Sequence, residues 1–317
     1  SKKGIGIEVF KAEFKDMFVK HEEDNKRMTR GGNSTIQRSN SVTNHVKVLS
    51  DLFPEENRVA VIFACNDYKT SLFKGKPLKD LNAAVKDAEM FRTTIEKMGF
   101  KVICFKTNEE CTKRSVEEAL CDVQDKFGNM SDKGQLAQFV FYYAGHAVET
   151  NGGRGGILAL HGFQENKSRT QLNMSVLKAQ SKEIGATQQM WFLDCCHAGH
   201  LFGSGTRGSN MDFGIHLASQ PCVFGITAVT GDQEAIEDGG NGLFTKTLCQ
   251  ALETKIGRPD DPYFTGESLR EFITQRVYEY SEQRMQPLGG SLLLDHKNKP
   301  CTGQFVVFDP ADMNKAQ

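Results

Sequence analysis

Short uninterrupted apolar runs alternate with helical stripes along most of this chain, and that alternation limits the folds open to it. RVAVIFA (58–64), KVICF (101–105), AQFVFYYAGHA (137–147), QQMWFLDCC (188–196) and CVFGITAVT (222–230) are dense in branched and aromatic residues. Runs that are apolar throughout, not at every second position, belong to strands covered on both faces. Between them, Asp80–Met98 sets Leu81, Ala84, Val85, Ala88, Phe91 and Ile95 on one helical stripe, and Gly99 stops it. Thr112 to Phe127 reads as a second helix with Thr112 as its cap, and Leu172 to Ile184 as a third. ILAL (157–160) is a short strand, Gly242–Ile256 and Glu267–Glu282 are helices, and GQFVVFD (303–309) is a last strand suited to an exposed edge. The expected fold is α/β, a three-layer sandwich whose mainly parallel central sheet is flanked by helices. Functional groups of such sheets gather at the carboxyl ends of strands. The ends of the third and fourth long runs are therefore the places to look.

With 317 residues, 38% of them hydrophobic, the chain can bury one large domain and carry an arm besides. Residues 1–20 place Val9, Phe10, Phe14, Met17, Phe18 and Val19 largely on one stripe. Residues 21–45 are rich in Ser, Thr, Asn and Gly and read as a flexible linker. The expected division is an arm over 1–55, a domain over 56–310 and a tail over 311–317. A net charge of −1 provides no basic field for nucleic acid. No apolar run is long enough to span a bilayer, and SKKGIGIEVFKAEFKD lacks the apolar core of a signal peptide. Nine scattered cysteines fit a reducing, cytoplasmic setting better than a disulfide framework. GGRGG (152–156) lacks the Lys-Ser/Thr of a phosphate loop, and Cys195, Cys196, His197 and His200 do not have the spacing of zinc pairs. The sequence thus calls for neither cofactor nor metal.

The chemistry sits where two runs end. The third closes on YYAGHA with His146, the fourth on FLDCCHAG with Asp194, Cys195 and Cys196. If those strands are parallel neighbours, a histidine and a thiol leave the sheet at one edge. An imidazole within about 3–4 Å of a thiol takes its proton and stabilises the thiolate.

Apolar strand–GHA, then apolar strand–DCCHAG, resembles the caspase, paracaspase and metacaspase superfamily, over roughly residues 55–310. The separation of His146 and Cys196, about 50 residues, matches the caspase spacing. DQEAIEDGGNGLFTKTL (232–248) resembles the stretch that follows the cleavable linker in such domains, and the HAG ending is closer to metacaspases than to animal caspases. The resemblance implies a cysteine endopeptidase acting on protein or peptide substrates. Cys196 would be its nucleophile and His146 its base, with Cys195 a buried packing residue. The backbone N–H groups of Cys196 and Ala147 would form the oxyanion hole. The family's usual Gly stands here as Ala147, which keeps the N–H. That exchange is what favours the alternative, a caspase-fold scaffold that binds partners and cuts little.

Asp194 and Asp87 match the two acids that line the first specificity pocket of metacaspases. Two carboxylates select Arg or Lys before the scissile bond. Between His146 and Ile184 the carboxylates are Glu149, Glu165 and Glu183, too few for a clustered calcium site, so no calcium requirement is expected. The resemblance also implies a large-subunit-like part (56–202), a cleavable loop GSGTRGSNMD (203–212) and a small-subunit-like part (213–310). Arg207 is then a self-cleavage candidate, as are Arg27, Arg30 and Arg38 upstream. The arm is expected to cover the active site until cut. Family members occur as monomers and as homodimers, and the sequence favours neither.

Overall fold

The computed structural model describes residues 34–128, 136–149, 155–195, 217–229, 236–238, 240–258, 261–291 and 301–314. Five long apolar segments form adjacent strands. They are β1 (Arg58–Ala64), β4 (Lys101–Thr107), β5 (Gln138–Ala144), β9 (Gln188–Asp194) and β10 (Cys222–Thr227), all parallel. A sixth strand, β14 (Leu288–Ser291), runs antiparallel on the β10 edge, giving the order β14-β10-β9-β5-β1-β4. Crossover connections pack helices on both faces. Alternate residues of each strand serve opposite cores. Val61, Phe141, Trp191 and Leu193 face α3 (Lys113–Phe127) and α4 (Met174–Glu183). Ile62, Tyr142, Met190 and Phe192 face α2 (Ala84–Lys97), α5 (Leu243–Glu253) and α6 (Gly266–Tyr280). The expected three-layer α/β sandwich is the observed one.

Local signals behave as their chemistry requires. Thr112 caps α3 in a reciprocal box, its Oγ1 accepting the Ser115 N–H and Ser115 Oγ accepting the Thr112 N–H. Gly99 ends α2 at φ +78°, and a Cβ there would meet the Arg58 guanidinium at 2.8 Å and Pro310 at 2.9 Å.

Two expectations are corrected. The polar stretch read as a linker is helical from Ser34, as α1 (Ser34–Leu52). Its composition is poor for a free helix, but Val46, Leu49 and Leu52, followed by Phe53, pack on Ala218, Tyr263, Val306 and Phe308, and tertiary packing overrides propensity. These contacts tie α1 to the rest of the described fold. The segment GQFVVFD is not an edge of the main sheet. Only β15 (Val306–Val307) is strand, paired with β13 (Phe264–Thr265) and buried. Two buried glutamines satisfy its backbone: Gln138 Nε2 donates to the Val306 carbonyl at 2.8 Å and Gln188 Oε1 accepts its N–H at 3.1 Å. ILAL belongs to β7 (Gly156–Ala159), the centre of a small antiparallel sheet between β6 (His146–Glu149) and β8 (Leu172–Asn173).

Candidate active site

Strands β5 and β9 pair in register from Gln138↔Gln188 to Ala144↔Asp194, and the Gly145 N–H extends the pairing by donating to the Asp194 carbonyl at 3.2 Å. The two chains therefore leave the sheet side by side, Gly145–His146 from one and Cys195 from the other. His146 is held from three directions. Its N–H donates to the Tyr68 hydroxyl at 2.8 Å. Its ring centroid lies 4.7 Å from that of Tyr68, at 60°. Its Nε2 is 2.8 Å from the Lys79 carbonyl. A carbonyl can only accept, so Nε2 carries the proton and Nδ1 keeps the basic lone pair. Nδ1 has no partner among the described residues. Burial lowers the imidazole pKa below 6.5, with the Lys79 carbonyl opposing that shift. The ring is therefore neutral, and able to act as a base, at neutral pH.

The loop that presents the Lys79 carbonyl is itself tied down. The Leu78 N–H donates to Ser71 O, the Leu81 N–H to Asn66 O, and the Tyr68 N–H to Asp80 Oδ1. The hairpin β2 (Leu72–Phe73) and β3 (Lys76–Pro77) lies within it.

On the opposite face of the sheet end, Asp87 and Asp194 come together. Asp87 lies in the first turn of α2, where a carboxylate complements the helix dipole. It accepts Asn241 Nδ2 at 2.9 Å and the Gly242 N–H at 3.0 Å. Asp194 ends β9 and accepts the Thr245 hydroxyl at 2.6 Å and the Thr245 N–H. Because the Thr245 proton goes to Asp194, Tyr142 is the donor in the 2.6 Å contact between the Tyr142 and Thr245 hydroxyls. Both acids thus gather at the N-terminal turn of α5, which follows the antiparallel pair β11 (Glu237–Asp238) and β12 (Asn241–Gly242). A Cβ at Gly242 would lie 2.8 Å from Asp87 Oδ2 and 3.2 Å from Asp194 Oδ2, so no larger residue fits between them. Asp87 is 3% and Asp194 8% exposed. Burial lifts the Asp194 pKa from 3.8 to about 6 despite the Thr245 donors.

The family model for the caspase domain matches residues 57–304. The chain belongs to the caspase-domain family. By family it is a cysteine peptidase, a hydrolase acting on protein substrates. This caspase domain is also similar to a crystallographically solved protein of Geobacter sulfurreducens, at 16% identity and a TM-score of 0.49, over 74% of this chain and 93% of that one. Comparison with curated proteins gave no match. Among the described residues, no helix of the caspase domain is long and apolar enough to cross a membrane.

The residues singled out in the sequence fall into four groups. His146, Ala147, Asp87 and Asp194 converge on the carboxyl edge of the sheet. Ala147 lies in β6 without a positive φ, so its Cβ brings no backbone strain. Cys195 is buried with Trp191 and Leu193, as a packing residue should be. Cys196, His197, His200, Arg27, Arg30 and Arg207 lie outside the described residues. Arg38 falls within α1, not in a linker, where a peptidase would have to unwind the helix to bind it in extended form.

Four contributors had escaped notice: the Lys79 carbonyl, Tyr68, Tyr143 and Thr245. A backbone carbonyl leaves no mark in a sequence. Tyr143 did leave one, because a tyrosine in an otherwise apolar buried run needs a partner for its hydroxyl, whereas Tyr68 stands in the polar stretch NDYKT and gave no such signal.

Proposed function

We propose that this chain is an endopeptidase cutting after Arg or Lys, with Cys196 as nucleophile and His146 as base. The in-register pairing of β5 and β9 carries the reading. His146 follows Ala144 by two residues, and Cys196 follows its partner Asp194 by two. His146 Nδ1 takes the thiol proton, and the thiolate attacks the scissile carbonyl. The oxyanion is met by the N–H groups of Cys196 and Ala147. The imidazolium then protonates the leaving amine, and water hydrolyses the thioester. Asp87 and Asp194 form the pocket for the substrate cation. Two buried carboxylates, one with its pKa raised, gain most from a cation brought between them. Self-cleavage is proposed at Arg207 and Arg30. Calcium is not required: of the three carboxylates between His146 and Ile184, Glu165 already accepts the Lys74 N–H at 2.6 Å.

The test incubates wild type, Cys196→Ala and His146→Ala with Arg-, Lys- and Asp-type peptides in chelator, and follows chain masses. The expected result is cleavage of Arg and Lys peptides by wild type alone, with self-cleavage fragments ending at Arg. Wild-type rates in Cys196→Ala would overturn the mechanism. Faster cutting of Asp peptides would overturn the pocket.

A further inference from the structure

We propose that Tyr68 and Tyr143 are positioning residues for His146, closing a ring of hydrogen bonds around that single residue's backbone. The inference rests on the reading of His146 as the base. Both tyrosines are fully buried, Tyr68 beyond the end of β1 and Tyr143 one residue before the end of β5. The His146 N–H donates to the Tyr68 hydroxyl at 2.8 Å. The Tyr143 hydroxyl donates to the His146 carbonyl at 2.8 Å, with the Ala159 carbonyl at 3.0 Å as a second acceptor. The two hydroxyls are 3.4 Å apart. Each hydroxyl has one proton. With that of Tyr143 given to a carbonyl, that of Tyr68 has the Tyr143 oxygen as an acceptor, beside the Cys65 sulfur. The circuit runs from His146 N–H to Tyr68, to Tyr143, and back to His146 C=O. Chains of this kind polarise and stiffen one another.

Gly145 shows how closely the pair is built around this turn. A Cβ there would stand 2.5 Å from both hydroxyl oxygens. Burial raises the pKa of both phenols well above 10, which keeps the two protons in the ring. The Tyr68 ring also covers the imidazole and contributes to its desolvation. Because the peptide is planar, fixing the His146 carbonyl fixes the plane of the Ala147 N–H as well. Two phenylalanines would fill the same space, so the hydroxyls serve orientation and not volume.

The experiment compares wild type with Tyr68→Phe, Tyr143→Phe and Tyr68→Leu, all scaled to folded protein by thermal melting. Each Phe variant is expected to lower kcat about 10-fold with KM unchanged, since a misplacement of about 1 Å costs up to about 10²-fold. Tyr68→Leu is expected in addition to move the acid limb of the pH profile upward, towards the ordinary histidine value, as the imidazole regains water. A readout that needs no substrate is the pH dependence of Cys196 alkylation by iodoacetamide, located by peptide mass. Tyr68→Leu should shift that profile and the Phe variants should slow alkylation near neutral pH. Wild-type kcat and wild-type alkylation in both Phe variants would overturn the inference. If one Phe variant does not fold, the other decides, because both hydroxyls belong to one circuit. His146→Ala separates the two levels. An unchanged Cys196 profile there sinks the dyad itself, whereas a changed profile beside silent Phe variants sinks the tyrosine ring alone.

Discussion

Tyr142 and Tyr143 are consecutive on β5, yet they serve two regions of opposite character. On the Tyr143 side, the hydrogen-bond partners of His146 among the described residues are all neutral: two phenol hydroxyls and the Lys79 carbonyl. On the Tyr142 side, two carboxylates are buried at the N-terminal turn of α5. The contrast suits the two tasks proposed for these groups. A base must change charge during each turnover, so it needs orientation without a fixed ion to lock it in one state. A cation pocket must hold charge throughout, so it needs anions kept ready at some cost. The pleat of one strand keeps the two environments apart.

Removing charge from the proposed pocket should break this contrast most severely. Asp194→Asn should lower kcat/KM on Arg peptides by about 10²–10³-fold, the cost of leaving a buried cation without its partner. The loss should fall mainly on KM, and iodoacetamide should still alkylate Cys196 with the wild-type pH profile. A loss in kcat with KM intact would place Asp194 with the base and not in the pocket.

The same substitution should have the opposite effect on stability. The folded-state pKa of Asp194, about 6, lies above its ordinary 3.8, so the folded chain binds that proton more tightly than the unfolded chain does. The stabilisation is complete below pH ~3.8 and is lost as pH rises through about 6, leaving a penalty of at most about 3 kcal/mol at pH 8. Asp194→Asn should therefore match wild type near pH 4 and exceed it at pH 8 in urea unfolding. His146 runs the other way. Its pKa is lowered, so its contribution is present above pH 6.5 and lost as pH falls through the folded value. A wild-type advantage at pH 8 would show that Asp194 is already fully compensated without substrate.

The sheet was legible in the sequence because its strands are covered on both faces, and so read as runs with few polar residues. The helices of the core were legible because α2 and α3 carry one apolar stripe each and stop or start at Gly99 and Thr112. His146 and Asp194 were singled out through motifs at strand ends and Asp87 through the family resemblance, and all three lie at the carboxyl edge of the sheet. Strand β14 was not legible, because LGGS has almost no side chains to give a pattern. Its glycines allow a close backbone approach, and a Cβ at Gly289 would meet the Gly225 carbonyl at 2.6 Å. Helix α1 was not, because Ser and Asn fill its first half and its stability comes from residues more than 150 positions away, Ala218 among them. The tautomer of His146 was not, because it is set by the backbone oxygen of Lys79, which any residue could supply.

The smallest change that separates the two regions is a single hydroxyl. Thr245→Val keeps the volume of α5's first turn but deletes the donor to Asp194 Oδ2 and the acceptor for Tyr142. A hydrogen bond to a charged group is worth about 1.5–3 kcal/mol, so KM for Arg peptides should rise about 10-fold at neutral pH. Losing the donor also pushes the Asp194 pKa further up, since Thr245 is what opposes burial there. The defect should therefore be deepest at slightly acid pH and shrink on the alkaline side, where Asp194 ionises in either protein. kcat and the Cys196 alkylation profile should not move, because the Tyr68–Tyr143–His146 ring lies on the other face. A KM defect that does not change with pH would mean that Thr245 only shapes the pocket and does not tune its charge.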